Sequence, residues 1–259
     1  MKVVLLGHGI GYSASPAMHR AGFSAAGLAG WTYELLDVPP DALGAAVEGL
    51  RSDSSAGANV TIPYKIAVLN LLDRVEPAAA GIGAVNTIRR QGARLIGSNT
   101  DVAGIVSALG VVGVEPGGAE VVVLGAGGTA RAVAAAMPGA RLTFVARTPE
   151  SAAGLGGTVL PWASESWQPR LRHADLVVNA TPLGRREEMP FRPGFRPPRG
   201  AVIDLVYVSG GTPLVRKARS LGLRCADGWD VLLAQGAASF QAWTGRSAPL
   251  AAMREALGE

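Results

Sequence analysis

Short apolar runs alternate along this chain with amphipathic or alanine-rich stretches, and the alternation falls into two series. One series occupies the first part of the chain, and the other begins near Glu120. Continuous apolar runs are typical of strands buried on both faces, and apolar positions three or four residues apart indicate helices. Strands that alternate with helices predict parallel sheets and an α/β fold.

The first series predicts strands, helices and one hairpin. A short turn that contains Gln91 and Gly92 separates the two hairpin strands, residues 85–89 and 94–97. Asp41 is expected to cap the second helix, because its carboxylate can accept hydrogen bonds from free backbone amides. The other predicted elements are strands at residues 3–6, 31–38 and 58–62, and helices at residues 16–26, 42–50 and 65–72.

The second series predicts a repeated strand and helix order of the same kind. Its predicted strands are residues 121–124, 142–145, 176–179 and 202–205, and its predicted helices are residues 131–137, 213–221 and 231–243.

The composition narrows the class of protein. Of 259 residues, 48% are hydrophobic and the net charge is only +4, which excludes a disordered chain. The single cysteine, Cys225, excludes a disulfide scaffold and a multi-cysteine zinc site. Three histidines leave little for a histidine-rich metal centre, so no metal site is predicted.

The charge pattern and the apolar runs also bear on partners. Of 24 cations, 21 are arginine, and the densest basic stretch, residues 192–199, is interleaved with prolines and predicts a loop. Aromatic residues, at 5%, are too few for a stacking platform, so no nucleic-acid partner is expected. The apolar run at residues 3–6 is far shorter than the roughly 20 residues of a membrane span. We therefore expect no membrane association and a cytoplasmic location.

A glycine-rich turn follows the first strand of the second series and precedes a helix. It fits the G-x-G-x-x-A pattern of dinucleotide-binding turns, whose phosphates meet the free amides at the helix N-terminus. Gly125 permits the tight turn, Gly127 lets a pyrophosphate approach the backbone, and Ala130 is small enough for close packing. The alternative is a tight turn with no ligand. The turn reads Gly125-Ala126-Gly127-Gly128-Thr129-Ala130.

The residues about 20 positions after this turn indicate which dinucleotide is bound. An NAD site places an acidic residue there, but this chain has Ala146-Arg147-Thr148. The planar fork of Arg147 can pair with a 2′-phosphate, and Thr148 can donate a further hydrogen bond. NADP is therefore predicted over NAD, with an ordinary surface arginine as the alternative.

Three polar clusters in the first series carry candidate chemistry. Their hydroxyls, amides, single ammonium and single carboxylate suit a small polyhydroxylated substrate. Taken singly, these residues could also serve as turn or cap residues, and Asp101 could be the N-cap of a helix at residues 102–109. The clusters are Ser13-Ala14-Ser15-Pro16, Asn59-Val60-Thr61-Ile62-Pro63-Tyr64-Lys65, and Asn86-Thr87 with Asn99-Thr100-Asp101.

Together these motifs resemble the shikimate dehydrogenase family over nearly the whole chain. Their order and spacing leave negligible room for chance agreement. The motifs are Ser-x-Ser-Pro at 13–16, Asn-Val-Thr-x-Pro-x-Lys at 59–65, Gly-Ala-Val-Asn-Thr at 83–87, Asn-Thr-Asp at 99–101, Asn-Ala-Thr at 179–181, Asp-Leu-Val-Tyr at 204–207 and Gln-Gly at 235–236.

The resemblance implies a fold and an activity. The fold is α/β with two lobes and a central cleft: an N-terminal α/β substrate lobe, residues 1–101 with a returning helix at 236–259, and a Rossmann-type NADP-binding lobe, residues 102–235. The activity is the reversible NADPH-dependent reduction of 3-dehydroshikimate to shikimate, a step toward chorismate and the aromatic amino acids. A monomer or homodimer is expected.

The resemblance also implies site residues. Lys65 and Asp101 are the expected catalytic pair, with Lys65 as acid and base, although the sequence leaves open which group transfers the proton. An ammonium can release a proton, whereas a guanidinium stays charged. Expected substrate contacts, besides that pair, are Ser13, Ser15, Asn59, Thr61, Asn86, Tyr207 and Gln235. Expected cofactor contacts are Gly125, Ala126, Gly127, Gly128, Thr129, Ala130, Arg147, Thr148, Thr181, Leu205 and Gly228.

Two alternatives to this activity remain open. One is a quinate/shikimate dehydrogenase that uses NAD, which the missing acidic residue beside Arg147 disfavours. The other is a catalytically silent NADP-binding relative, which the presence of both Lys65 and Asp101 disfavours.

Overall fold

Two six-stranded sheets organise the part of the chain that this computed structural model describes, residues 1–191 and 200–258. One compact unit comprises Met1–Ala103 and Leu232–Glu259, and the other comprises Gly104–Val231. Each unit contains one of the sheets. The basic stretch at residues 192–199, predicted as a loop, lies outside the described residues.

The sheet of the first unit is mixed. β1 pairs in parallel with β2 and β3, whereas β5 runs antiparallel to β3 and β6. The predicted hairpin at the Gln91-Gly92 turn forms β5 and β6, and its antiparallel pairing makes this sheet mixed. The sheet order is β2-β1-β3-β5-β6-β4, with β1 at Lys2–Gly7, β2 at Thr32–Asp37, β3 at Ser55–Val60, β4 at Arg74–Val75, β5 at Thr87–Gln91 and β6 at Arg94–Ser98.

The sheet of the second unit is parallel throughout. Across the sheet the strands lie in the order β9-β8-β7-β10-β11-β12. Numbered from the first strand of this unit, that is 3-2-1-4-5-6, the doubly wound order of dinucleotide-binding domains. The predicted α/β class with a Rossmann-type part is therefore confirmed. The strands are β7 at Glu120–Leu124, β8 at Arg141–Ala146, β9 at Thr158–Pro161, β10 at Leu176–Asn179, β11 at Ala201–Asp204 and β12 at Cys225–Ala226.

Helices alternate with these strands, as the apolar pattern predicts. Within the described ranges, no helix combines the length and the apolar character that crossing a membrane requires. The helices are α1 at Ser15–Ala25, α2 at Leu43–Glu48, α3 at Pro77–Ile82, α4 at Asp101–Val112, α5 at Gly128–Ala136, α6 at Gln168–Leu171, α7 at Pro213–Ser220, α8 at Gly228–Thr244 and α9 at Leu250–Glu255.

Two local predictions are wrong for identifiable reasons. Asp41 lies inside a 3-10 turn at Pro40–Ala42, so α2 begins after it and receives no cap from its side chain. The predicted helix at residues 65–72 is a 3-10 turn at Ala67–Leu71. The carbonyl of Lys65 accepts from the amide of Val85 at 2.8 Å, so it is not available to start an α-helix.

The core of the first unit contains a neutral histidine in an aromatic setting. His19 on α1 is fully buried, stacks on Tyr33 with ring centroids 4.5 Å apart, and meets Trp243 edge-on at 5.3 Å. Neither ring nitrogen has a hydrogen-bond partner among the described residues. Burial lowers the pKa of His19 to about 3, because the charged ring would lose its hydration.

This burial predicts a specific loss of stability in acid. The unfolded chain protonates His19 near pH 6.5 and the folded chain only near pH 3, so His19 destabilises the fold progressively as the pH falls below 6.5. In His19→Phe this contribution disappears. Between pH 7 and pH 5, urea unfolding should show the wild type losing about 2 kcal/mol more stability than the variant. Equal losses in the two proteins would contradict a neutral, unpartnered His19.

Candidate active site

The candidate acid–base pair is formed by a lysine and an aspartate that are 36 residues apart in the chain. Lys65 lies in the turn that follows β3, and Asp101 is the first residue of α4. Lys65 Nζ donates to Asp101 Oδ2 at 2.5 Å, and the two side chains are 13% and 8% exposed. The structure therefore brings together the two side chains that the sequence predicts as a catalytic pair.

The carboxylate of Asp101 serves this pair and does not cap its own helix. α4 begins at Asp101 itself, and Oδ1 of Asn99 accepts from the amide of Asp101 at 3.0 Å. The alternative interpretation of Asp101 as an N-cap is therefore wrong. Its second oxygen, Oδ1, accepts from Nδ2 of Asn86 at 2.8 Å, so both carboxylate oxygens have partners that fix their orientation.

Asn86 is itself held on both sides of its amide. Its Oδ1 accepts from the backbone amide of Thr100 at 2.7 Å, and its Nδ2 lies 3.4 Å from Oε1 of Gln235 on α8. The backbone carbonyl of Asn86 accepts from the amide of Val60 at the end of β3. Asn86 and Gln235, both expected to contact substrate, therefore lie next to the pair.

Behind Asn86 lies a group of buried polar side chains, which we call the inner polar cluster. Asn59 donates from Nδ2 to Oγ of Ser239 at 2.9 Å and to Oγ1 of Thr87 at 3.1 Å, and its Oδ1 accepts from the hydroxyl of Tyr33 at 2.8 Å. All members are less than 10% exposed. The cluster comprises Asn59, Asn86, Thr87, Thr100 and Ser239.

Asn59 is therefore buried within the protein, whereas the motif predicts a substrate contact. Its exposed fraction is 4%, and its amide hydrogens face acceptors of the protein itself. This commitment of the amide favours a supporting role beneath Asn86. Direct substrate contact by Asn59 stays a prediction, and the bonds within the cluster argue against it.

The hydroxyl groups predicted to bind substrate follow the carboxyl ends of the parallel strands β1 and β3 in the first sheet. Ser13 precedes α1 and donates from Oγ to Oγ of Ser15 at 3.2 Å. Thr61 directly follows β3, and its amide donates to the carbonyl of Leu6. Gly7 is required here, because a Cβ at that position would lie 2.6 Å from Cγ2 of Thr61.

Asp37, at the end of β2, holds the loop that leads to Ser13. Its carboxylate accepts from the amides of Gly9 at 3.0 Å and Ile10 at 3.3 Å, and it contacts Nδ1 of His8 at 3.1 Å. The hydrogen bonds from these amides and from His8 lower the pKa of Asp37.

The glycine-rich turn has the geometry that its sequence predicts. Gly125 directly follows β7 with φ of +111°, and a Cβ there would lie 2.9 Å from the carbonyl oxygen of Ala180. Gly127 precedes the first residue of α5 with extended backbone, and a Cβ there would meet no atom of the described residues within 4 Å. Ala126 and Ala130 are buried. The turn thus presents the N-terminus of α5 beside open space, as a dinucleotide phosphate requires.

Arg147 and Thr148 follow β8 on the same unit, and both are exposed. A third residue, Arg131 on α5, supports them: it donates from Nη2 to the carbonyl of Ser151 at 3.1 Å, and Ser151 donates from Oγ to the carbonyl of Thr148 at 2.6 Å. No motif selects Arg131, although its position directly after Ala130 could have suggested it.

The other predicted cofactor contacts lie at or beyond the ends of β10, β11 and β12. Thr181 donates from Oγ1 to Oδ1 of Asn179 at 2.6 Å, and Asn179 donates from Nδ2 to Oδ1 of Asp204 at 2.9 Å. Burial raises the pKa of Asp204 to about 6. Gly228 is required beside Leu205, because a Cβ there would lie 2.8 Å from the Leu205 carbonyl oxygen.

Tyr207 belongs to this second unit, whereas the other predicted substrate contacts belong to the first. Its ring lies 4.8 Å from that of Trp229, tilted by 43°.

Two supporting residues escaped sequence-based selection: Ser239 and Tyr33. Ser239 is four residues after Gln235 on α8, and that spacing places the two side chains on one helix face. Tyr33 is a fully buried residue of β2 whose hydroxyl needs a partner. The helical spacing of Ser239 and the hydroxyl of Tyr33 are the sequence features that could have identified these two residues.

Comparisons with known proteins agree with the motifs. Residues 5–88 match the family model of the shikimate dehydrogenase substrate binding domain, and residues 228–257 match that of the shikimate 5′-dehydrogenase C-terminal domain. The shikimate dehydrogenase (NADP(+)) of Moorella thermoacetica is 44% identical over 99% of this chain and 93% of that protein. The one from Symbiobacterium thermophilum is 43% identical over 97% and 92%.

A solved structure extends the agreement to the fold. Shikimate 5-dehydrogenase of Thermus thermophilus, in complex with NADP(H) and shikimate, is 37% identical and superposes with a TM-score of 0.85, covering 99% of this chain and 98% of that one. Identity at this level over nearly the full length confirms the resemblance stated from the motifs. The chain belongs to the shikimate dehydrogenase family.

Proposed function

We propose that this chain is an NADP-dependent shikimate dehydrogenase that catalyses the reversible reduction of 3-dehydroshikimate to shikimate. The observation that carries the proposal is the hydrogen-bonded pair of Lys65 and Asp101, at a sheet edge that also presents Ser13 and Thr61. The names of the relatives support the substrate and the cofactor. The proposal keeps the role in chorismate and aromatic amino-acid biosynthesis, the cytoplasmic location and the monomeric or homodimeric state expected from the sequence.

Hydroxyl and amide groups hold the substrate. The hydroxyls of Ser13, Ser15 and Thr61 and the amide of Gln235 can each donate or accept a hydrogen bond. These groups match the ring hydroxyls and the carboxylate of shikimate. Substrate contact by Asn86 stays a prediction, as for Asn59, because Asn86 is 2% exposed and its amide is bonded within the protein. Tyr207 completes the proposed set of contacts.

The residues of the second unit fit NADP. The tight turn at Gly125 and the open approach at Gly127 suit the pyrophosphate at the N-terminus of α5. Arg147 and Thr148 suit the 2′-phosphate. When bound, NADPH supplies the hydride for the ring carbonyl carbon. The remaining proposed contacts are Ala126, Gly128, Thr129, Ala130, Thr181, Leu205 and Gly228.

Lys65 moves the proton. Its ammonium stabilises the negative charge that develops on the carbonyl oxygen and donates the proton that completes the alcohol. In the oxidation of shikimate, neutral Lys65 accepts that proton. Asp101 orients the amine at 2.5 Å, and Asn86 fixes the opposite carboxylate oxygen.

Initial rates test the assignment of substrate and cofactor. Shikimate and quinate are each assayed with NADP and with NAD, and shikimate with NADP should give the highest kcat/KM. No turnover in any of the four combinations would favour a catalytically silent relative. The highest kcat/KM with quinate and NAD would overturn the proposed specificity.

Replacing Lys65 tests the proton transfer. Lys65→Ala removes the proton donor, so kcat should fall by about 10²–10⁴-fold, while the KM for NADP stays close to that of the wild type. Lys217→Ala, at an exposed lysine of α7, is the matched control and should leave kcat unchanged. A kcat for Lys65→Ala within about threefold of the wild type would contradict the role.

Two glycine variants distinguish the role of the glycine-rich turn in stability from its role in binding NADP. The Cβ of Gly127→Ala would meet no atom in the part of the chain that the structure describes, so stability should change by less than about 1 kcal/mol, whereas the KM for NADP should rise about tenfold or more. Gly125→Ala should instead lower the melting temperature, because Gly125 has a φ of +111° and the added Cβ would lie 2.9 Å from the carbonyl oxygen of Ala180. An unchanged KM for NADP in Gly127→Ala would argue against phosphate binding at this turn.

A further inference from the structure

Ser239 lies at the centre of the inner polar cluster, yet it belongs to neither the acid–base pair nor the proposed substrate contacts. It is on α8 and fully buried. Its Oγ donates to the carbonyl of Gln235 at 3.0 Å and lies 2.9 Å from Nδ2 of Asn59, 2.9 Å from Oγ1 of Thr87 and 3.0 Å from Oγ1 of Thr100.

The donors and acceptors around Ser239 restrict one another. A hydroxyl has one hydrogen and two lone pairs. When that hydrogen points to the carbonyl of Gln235, the two lone pairs of Ser239 accept from Asn59 and from one threonine hydroxyl. The directions of the Thr87 and Thr100 hydroxyls are therefore coupled to Ser239.

The two threonines contact both ends of the Asn86 amide. With its hydrogen directed at Ser239, Thr100 still accepts from Nδ2 of Asn86 at 3.0 Å, while Thr87 donates to Oδ1. Oδ1 of Asn86 lies 3.0 Å from Oγ1 of Thr87 and 3.1 Å from Oγ1 of Thr100, and it also accepts from the backbone amide of Thr100. With Oδ1 held there, Nδ2 faces Oδ1 of Asp101 at 2.8 Å. A flipped amide would place its oxygen against the carboxylate, which repels it.

We propose that Ser239 is a positioning residue that, through Thr87 and Thr100, keeps the Asn86 amide turned toward Asp101 and thereby keeps Asp101 aligned with Lys65. This inference rests on the proposed function for its kinetic consequence. Its structural content, the orientation of Asn86, is independent of any activity.

The kinetic test combines removal of the Ser239 hydroxyl with a double-mutant cycle. Ser239→Ala should lower kcat about tenfold and leave the KM for NADP within about twofold, because it disturbs the acid–base pair and not the cofactor. In an Asn86→Ala background the same substitution should have little further effect on kcat, since Ser239 acts through Asn86. Equal effects in the two backgrounds would overturn the proposed route.

The matched control is another hydroxyl on α8. Thr244 donates from Oγ1 to the carbonyl of Phe240 four residues earlier, as Ser239 does to Gln235, but it lies outside the inner polar cluster. Thr244→Val should leave kcat unchanged. A similar loss of kcat in both variants would indicate a general effect of α8 on folding and would overturn the role of Ser239.

A second readout needs no turnover. The side-chain amide signals of Asn86 in ¹⁵N–¹H NMR can be assigned by their loss in Asn86→Ala. Their exchange with solvent should be about tenfold or more faster in Ser239→Ala than in the wild type. Unchanged exchange would overturn the positioning role even in an active enzyme. If the wild type turns over none of the four substrate and cofactor combinations, the proposed function fails and this readout still decides the inference.

Discussion

The hydrogen bond between Lys65 and Asp101 is the interaction on which the candidate active site depends. Moving two charges out of water costs several kcal/mol per ion unless further hydrogen bonds compensate. Both side chains are largely buried, and the second oxygen of Asp101 is satisfied by Asn86. The pair thus depends on a supporting set of neutral donors and acceptors, and the inner polar cluster provides them.

The backbone explains how these groups meet. The carbonyl of Asn86 accepts from Val60 at the end of β3, and the carbonyl of Lys65 accepts from Val85. These two bonds tie the turn that carries Lys65 to the segment that carries Asn86. The β5–β6 hairpin then returns the chain to the start of α4, where Asp101 lies. The mixed sheet therefore helps to position the proposed acid–base pair, since an all-parallel sheet has no such hairpin.

The second unit has the features that the proposed binding of NADP phosphates requires. Its parallel sheet aligns the carboxyl ends of all strands at one edge, and the first of them leads into the turn at Gly125. The strand order changes direction between β7 and β10, which is where ligands bind in doubly wound sheets. Arg131 links the helix of that turn to the loop that carries Arg147, so the proposed pyrophosphate and 2′-phosphate positions are mechanically connected.

The sequence predicts most strands, the hairpin, the glycine turn and the acid–base pair, because each leaves a local pattern or a family motif. Contacts between distant segments leave none. Nothing in the sequence near Lys65 indicates that its carbonyl accepts from the amide of Val85, so the local pattern predicts a helix there. Asn59 stands in a motif with Thr61 and Lys65, but only the fold shows that it is buried. Ser239 is 180 residues from Asn59, its hydrogen-bond partner.

The central claim is that Lys65, aligned by Asp101, exchanges the proton with the substrate oxygen. A crystal structure of this chain with shikimate and NADP bound tests it most directly. The account predicts the oxygen on the reacting carbon within about 2.6–3.2 Å of Lys65 Nζ, with Asp101 still bonded to Asn86. A reacting oxygen farther than about 4 Å from Lys65, with another side chain in hydrogen-bond contact with it, would contradict the account.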